Sequence, residues 1–188
     1  MAKSCAHCGG PLDLFKSGRV PRFCSTRCRM AAHRAAKRAA SIPTELTSRD
    51  RWVSHTADKR PITADGKPAS STNAATWSPY SQIRDLDRRG FVLGDGVGCI
   101  DLDHCLVDGE PNDAARAFLA TLPPTYIEIS PSGDGLHIWG RLPEAPGTRQ
   151  TLGGLSVERY SVGRYITITE RPFRGSVSTL ADLSGVST

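Results

Sequence analysis

No apolar run in the chain approaches the roughly 20 residues needed to cross a bilayer. The opening stretch "MAKSCAHCGG" lacks the apolar centre of a secretory signal. These absences predict a cytoplasmic chain with no membrane partner, in which thiols stay reduced. The six cysteines are therefore read as metal ligands or ordinary thiols rather than disulfides. There is no internal repeat and no low-complexity tract, and no G-x-x-x-x-G-K-S/T phosphate loop. Acidic residues are nearly absent from the first forty positions, which hold one Asp against nine Lys or Arg, a balance of +8. The remaining 148 residues balance at −3, so the net charge of +5 belongs to the N-terminal segment. A compact basic segment on a mildly acidic body points to a polyanion, with nucleic acid the leading partner.

Large apolar side chains are also scarce in that segment, so it could hardly fold on a core of its own. What it has instead is "CAHC" and "CSTRC". Cys5 and Cys8, then Cys24 and Cys28, form two close pairs separated by fifteen residues, a spacing that lets four thiolates surround one Zn²⁺. Gly9 and Gly10 permit the tight turn after the first pair, and His7 and His33 are reserve ligands. "RMAAHRAAKRAA" then predicts a helix with Ser25 as N-cap. Arg27, Arg34 and Arg38 fall on one of its faces, suited to a phosphate backbone. Pro43 in "SIPTEL" ends the segment. The expected organisation is a zinc-binding basic module over 1–40, a linker over 41–48, a body over 49–175 and a tail over 176–188.

The body reads as α+β with a central antiparallel-rich sheet and flanking helices. Strands are predicted at "RWVSH", on either side of the Gly-Asp-Gly turn in "GFVLGDGVGCIDLDHC", and in two hairpins, "TYIEISPSGDGLHIWGRL" and "LSVERYSVGRYITITE". Helices are predicted from Thr76, from the Asn112 cap, and briefly at "STLADL". Within "CIDLDHC", strand alternation turns Ile100 and Leu102 one way and Asp101 and Asp103 the other, with about 6–7 Å between the two acidic positions. The same alternation turns His137 away from Leu136 and Ile138, and Glu158 away from Val157. One sheet face could thus hold Asp101, Asp103, His137 and Glu158. Oxygen-rich donors of this kind suit Mg²⁺ or Mn²⁺, and a divalent cation would relieve the repulsion of the acidic pair. Each element taken alone has a plainer reading: a surface turn or a sugar-transferase metal site for D-x-D, a structural histidine, a solvated Glu158–Arg159 pair.

The order D-x-D, small-x-His, strand acid resembles the archaeo-eukaryotic primase superfamily, and more narrowly the primase–polymerase domains of phages and plasmids. "CIDLDHC", "EISPSGDGLHIW", "SVERY" with "GRYITIT", and "KRPITADGKPASSTNAATW" carry the resemblance, over roughly residues 50–175. It implies a DNA primase or polymerase that makes or extends primers from nucleoside triphosphates on a single-stranded DNA template, in a bacterial host cell. Asp101, Asp103 and Glu158 would hold Mg²⁺ or Mn²⁺. His137 would meet the incoming nucleotide's phosphates, and Lys59, Arg164 and Ser132 would be further nucleotide contacts. A separate replicative helicase is the implied partner. The chain departs from the pattern at Glu170, where relatives usually have Gly. Little follows residue 175, so extension is more strongly implied than initiation. Two rival readings are a zinc-finger replication initiator or regulator with a non-catalytic polymerase-like body, and another metal-dependent phosphotransferase, such as a nuclease.

Overall fold

The computed structural model describes residues 4–12, 21–39 and 41–187, the side chains of 35–39 excepted. The chain divides into two compact units, Met1–Ala39 and Ala40–Thr188. In the first, Cys5 N–H donates to Gly10 O (2.8 Å) and Gly9 N–H returns to Cys5 O (2.9 Å), closing a tight knuckle around the first cysteine pair. Gly9 sits at φ +70°, a conformation that glycine adopts without steric penalty. Helix α1 (Thr26–Ala39) follows the second pair. The Ser25 hydroxyl accepts from Cys28 N–H (3.2 Å), the N-cap expected from sequence.

The second unit is α+β with few and short helices. Its elements are α2 (Thr44–Thr47), β1 (Trp52–His55), β2 (Pro61–Ile62), α3 (Tyr80–Ile83), β3 (Arg89–Val92), β4 (Val97–Asp103), β5 (Leu106–Val107), β6 (Glu110–Pro111), α4 (Asp113–Ala120), β7 (Tyr126–Ile129), β8 (Leu136–Arg141), β9 (Thr148–Leu152), β10 (Leu155–Tyr160), β11 (Tyr165–Ile168) and β12 (Ala181–Asp182). The strands form two principal sheets rather than one central sheet. The smaller has the order β11-β3-β1-β2. The larger runs β12-β8-β4-β10-β9, with β7 also paired to β8.

Alternation along β4 explains how these layers stack. Val97 and Cys99 face a core shared with Trp52, Phe91 and Ile166 of the small sheet and with Tyr126 and Trp139 of the large one. Phe91 and Trp139 meet edge to face there, centroids 6.2 Å apart. Ile100 and Leu102 face a second core with Leu136, Ile138 and Val157, closed by Ala115 and Phe118 of α4. The large sheet is therefore covered on both faces, and a polar group on it must be bonded or open to a cleft.

Several sequence expectations need correction. β3 and β4 flank the Gly94–Gly96 turn but join different sheets, and the hairpin pairing there shrinks to an isolated Gly94–Val97 bridge. The "LSVERYSVGRYITITE" hairpin is likewise absent: β10 pairs with β4 and β9, while β11 pairs with β3. The helix expected from Thr76 is only a 3-10 turn at Ala74–Thr76 and the single turn of α3. Ser78 between them is extended, exchanging backbone hydrogen bonds with Trp52, and Pro79 starts the helix anew. "STLADL" is not helical; within it Ala181–Asp182 pairs parallel to β8. The β9–β10 hairpin went unread in the sequence.

Residues 41–48, expected as a linker, carry α2, with Ile42 buried and Leu46 wholly buried in the first core. The expected tail over 176–188 contributes buried Leu180 and Leu183. Leu46→Ala is accordingly expected to cost about 2–4 kcal/mol of unfolding free energy, as for other core truncations. Urea denaturation followed by tryptophan fluorescence checks it, and a true linker position would leave the midpoint unmoved.

Candidate active site and four-cysteine centre

Strand register brings the polar residues into one row. Glu128 of β7 lies opposite His137 of β8, His137 opposite Asp101 of β4, Asp101 opposite Glu158 of β10, and Glu158 opposite Arg149 of β9. Directly opposed residues share a face, so five strands present five polar side chains side by side. Three of the sequence-predicted residues, Asp101, His137 and Glu158, stand together at its centre. Asp103 is two positions along β4 on the same face, opposite Ser156.

His137 Nε2 is 3.9 Å from Asp101 Oδ1, and its Nδ1 is 3.4 Å from Glu128 Oε1. Glu158 Oε1 receives Arg149 Nε at 3.1 Å, and its Oε2 accepts from the Tyr160 hydroxyl at 2.5 Å. Tyr160 in turn lies under the Arg164 guanidinium, 3.7 Å from ring centre to Cζ. Burial pushes the Asp101 carboxyl above its ordinary pKa; neighbouring His137 opposes this, while Asp103 and Glu158 add to it.

Glu128 is the residue that sequence reasoning missed. Its side chain is 0% exposed. Oε1 faces His137 Nδ1 (3.4 Å) and accepts from Trp139 Nε1 (3.3 Å); Oε2 accepts from the Tyr126 hydroxyl (3.1 Å), Thr169 N–H (3.0 Å) and Glu170 N–H (3.0 Å). The signal was present: a lone carboxylate in the apolar strand "YIEI", facing the histidine of its hairpin partner. The same contacts explain the turn at Glu170. It holds φ +54°, a conformation that favours glycine, with its side chain 2.6 Å from Arg89.

A cleft of about 370 Å³ opens beside the row, lined by Lys59, Ser71, Asp101, His137, Arg164 and Tyr165 among others. Lys59 and Arg164, expected at the nucleotide, are thus beside Asp101 and His137. Lys59 is at φ +61°, and its carbonyl accepts from the Tyr165 hydroxyl at 2.6 Å. Gly90 lets the Tyr165 ring lie across β3, since a Cβ there would come within 2.4 Å of it. Ser132 is not in that lining; its hydroxyl is engaged with Ser130 Oγ (2.9 Å) and with Asp134 in the β7–β8 turn. Asp103 and Glu158 are not in it either.

In the N-terminal unit the sulfurs of Cys5, Cys8, Cys24 and Cys28 all lie within 4.8 Å of one another. Cys8 and Cys24 are 3.6 Å apart, and Cys24 and Cys28 3.5 Å. Four thiolates at about 2.3 Å from one zinc ion stand about 3.8 Å apart, so the donors fit that ion. Backbone N–H groups of Cys8, Cys24 and His7 lower the Cys5 thiol to about 6, while the surrounding sulfurs raise Cys24 to about 12. Among the described residues this is the group of three or more His, Cys, Asp or Glu ligand atoms so closely gathered; Asp101, Asp103 and Glu158 are not drawn to that separation. Cys99 and Cys105 are buried core thiols. Arg27 and Arg34 are exposed on α1, and Arg38 lies outside the described side chains. No helix among the described residues is long and apolar enough to cross a membrane.

No family model matches the chain. It is 37% identical over 124 residues to a DNA primase-polymerase of Nitratiruptor phage NrS-1, a stretch that covers 59% of this chain and 17% of that relative.

Proposed function

We propose that the second unit is a metal-dependent nucleotidyltransferase that synthesises or extends primers on a single-stranded DNA template, in the manner of phage and plasmid primase–polymerases. The observation that carries this reading is the row across five strands, with Asp101 between His137 and Glu158 and both Asp101 and His137 lining the cleft that holds Lys59 and Arg164. The likeness to the phage primase-polymerase supports it.

The donor set fits Mg²⁺ or Mn²⁺. Asp101, Asp103 and Glu158 offer carboxylate oxygens on one face of adjacent strands, and their mutual crowding helps raise the Asp101 pKa. Bound there, such an ion would favour ionisation of a primer 3′-hydroxyl and neutralise charge on the departing pyrophosphate. The chain's own side chains do the rest. Lys59 and Arg164 bring positive charge to a triphosphate, His137 Nε2 faces its phosphates, and Glu128 and Asp101 bracket the imidazole. The N-terminal unit would hold Zn²⁺ on its four cysteines and present basic residues of α1 to DNA. Strand separation would fall to a replicative helicase.

One observation favours a second reading, a DNA-binding initiator or regulator with a non-catalytic body: both Glu158 oxygens are already engaged, by Arg149 and Tyr160. Product sizing separates the two. Incubation with a single-stranded template, labelled nucleotides and Mn²⁺, with and without a primer, should yield extended primers. DNA binding with no product under any of these conditions would leave the second reading.

A further inference from the structure

We propose that Glu128 is the positioning residue for His137, holding the imidazole by Nδ1 so that Nε2 faces the cleft. Its functional half rests on the reading of His137 as a phosphate contact. Five groups surround the buried carboxylate: His137 Nδ1, Trp139 Nε1, the Tyr126 hydroxyl, Thr169 N–H and Glu170 N–H. The indole and the two backbone groups can only donate. The Thr169 hydroxyl also stands 3.1 Å away, with its hydrogen claimed more closely by Ile129 O at 2.7 Å. An internal carboxylate thus fills an anion nest made by the successive Thr169 and Glu170 amides, and its second oxygen is shared by the histidine and the Trp139 indole.

The choice of tautomer follows from this shell. Which ring nitrogen carries the proton is set by the partner of the other. A carboxylate at Nδ1 can only accept, so Nδ1 is protonated; a phosphate oxygen at Nε2 also only accepts, so a ring that meets phosphate carries both protons, the first held by Glu128. Nε2 is the nitrogen beside Asp101 in the cleft lining. Glu128→Gln keeps the shape but changes the chemistry. Its amide oxygen would serve the Tyr126, Thr169 and Glu170 donors, and its NH₂ would face His137 Nδ1, which must then accept, at the loss of the Trp139 indole hydrogen bond. The ring then keeps a single proton, on Nε2, and meets the phosphates uncharged. Glu128 touches neither cleft nor substrate, so its effect on nucleotide passes through His137.

The test combines ¹⁵N NMR of the His137 ring with calorimetric binding of dATP in Mn²⁺. In the unaltered protein Nδ1 should carry the proton, and in Glu128→Gln it should not. Thr169→Val, which removes one peripheral hydroxyl, should leave the ring as in the parent. Outer partners of metal-ligating histidines typically matter by about 10–100-fold, which sets the scale for a histidine held in the same way. Glu128→Gln and His137→Ala should therefore each weaken dATP by about tenfold, and the double variant no further. An unprotonated Nδ1 in the parent protein overturns the proposal even if Glu128→Gln does not fold. Losses that multiply in the double variant overturn it too. Failure of the parent to bind dATP would count against the nucleotidyltransferase reading, while the ring signals still decide the role of Glu128.

Discussion

Asp101→Asn is expected to lower nucleotide incorporation by about 10³-fold or more while leaving the protein folded. A carboxylate that anchors a catalytic cation supports several kcal/mol of transition-state charge stabilisation, and about 1.4 kcal/mol is a factor of ten. Asp101 is the central member of the row, opposite both His137 and Glu158, so no neighbouring carboxylate can take its position. The effect on stability should have the opposite sign. The folded-state pKa of Asp101 is raised, so in the metal-free protein ionisation opposes folding. That opposition is fully expressed above the folded pKa and disappears as pH falls below the unfolded value of about 3.9. Near pH 7 the neutral amide should hold or raise the melting temperature of the metal-free protein. Primer extension alongside thermal melting checks both halves; loss of activity together with loss of fold would reduce Asp101 to a structural residue.

The second large effect concerns the four cysteines. Purified protein should carry one zinc ion per chain, and Cys24→Ser should lose it and unfold the N-terminal unit. Among the described residues of that unit, Cys5 is the one buried hydrophobic side chain, so little besides the metal can hold it together. Structural zinc contributes about 10–16 kcal/mol to comparable small modules at neutral pH. The unit also carries most of the basic excess, +8 over the first forty residues, offset by −2 for a zinc tetrathiolate. Affinity for single-stranded DNA should fall in the variant. The dependence of its logarithm on log salt should become shallower by about 0.7 for each phosphate that the variant no longer neutralises. Zinc analysis and binding titrations at two salt concentrations measure these effects. A Cys24→Ser protein with full zinc content would remove the basis for a four-cysteine centre.

The candidate site was more legible in the sequence than the topology around it. Strand alternation is strict, so Asp101 must part from Ile100, His137 from Leu136, and Glu158 from Val157, whatever the strands pair with. Pairing partners are a different matter. The turns at Gly94–Gly96 and near Gly163 carry local signals, but a turn does not say whether its strands remain in one sheet. In both cases the chain crosses to the other sheet, because Trp52, Phe91 and Ile166 need the large sheet's aromatic face to cover them.

Tertiary context also overrode local propensity. Ser78 is held extended by Trp52, and Ala181 pairs with Gly140 where the segment alone reads as helical. Glu128 was hidden for another reason. Its meaning depends on Trp139, Thr169 and Glu170, brought together only by folding. Glu170 is the complement of that case. The departure from Gly was visible in sequence, while its left-handed backbone and its Arg89 partner were not.

The most direct test of nucleotidyl transfer at this row is template-directed incorporation by the unaltered chain. With a primed oligo-dT template and Mn²⁺, labelled dATP should extend the primer and labelled dCTP should not. An oligo-dG template should reverse the preference, and EDTA should abolish both. Incorporation indifferent to the template base, or shortening of the DNA without any incorporation, would contradict the account.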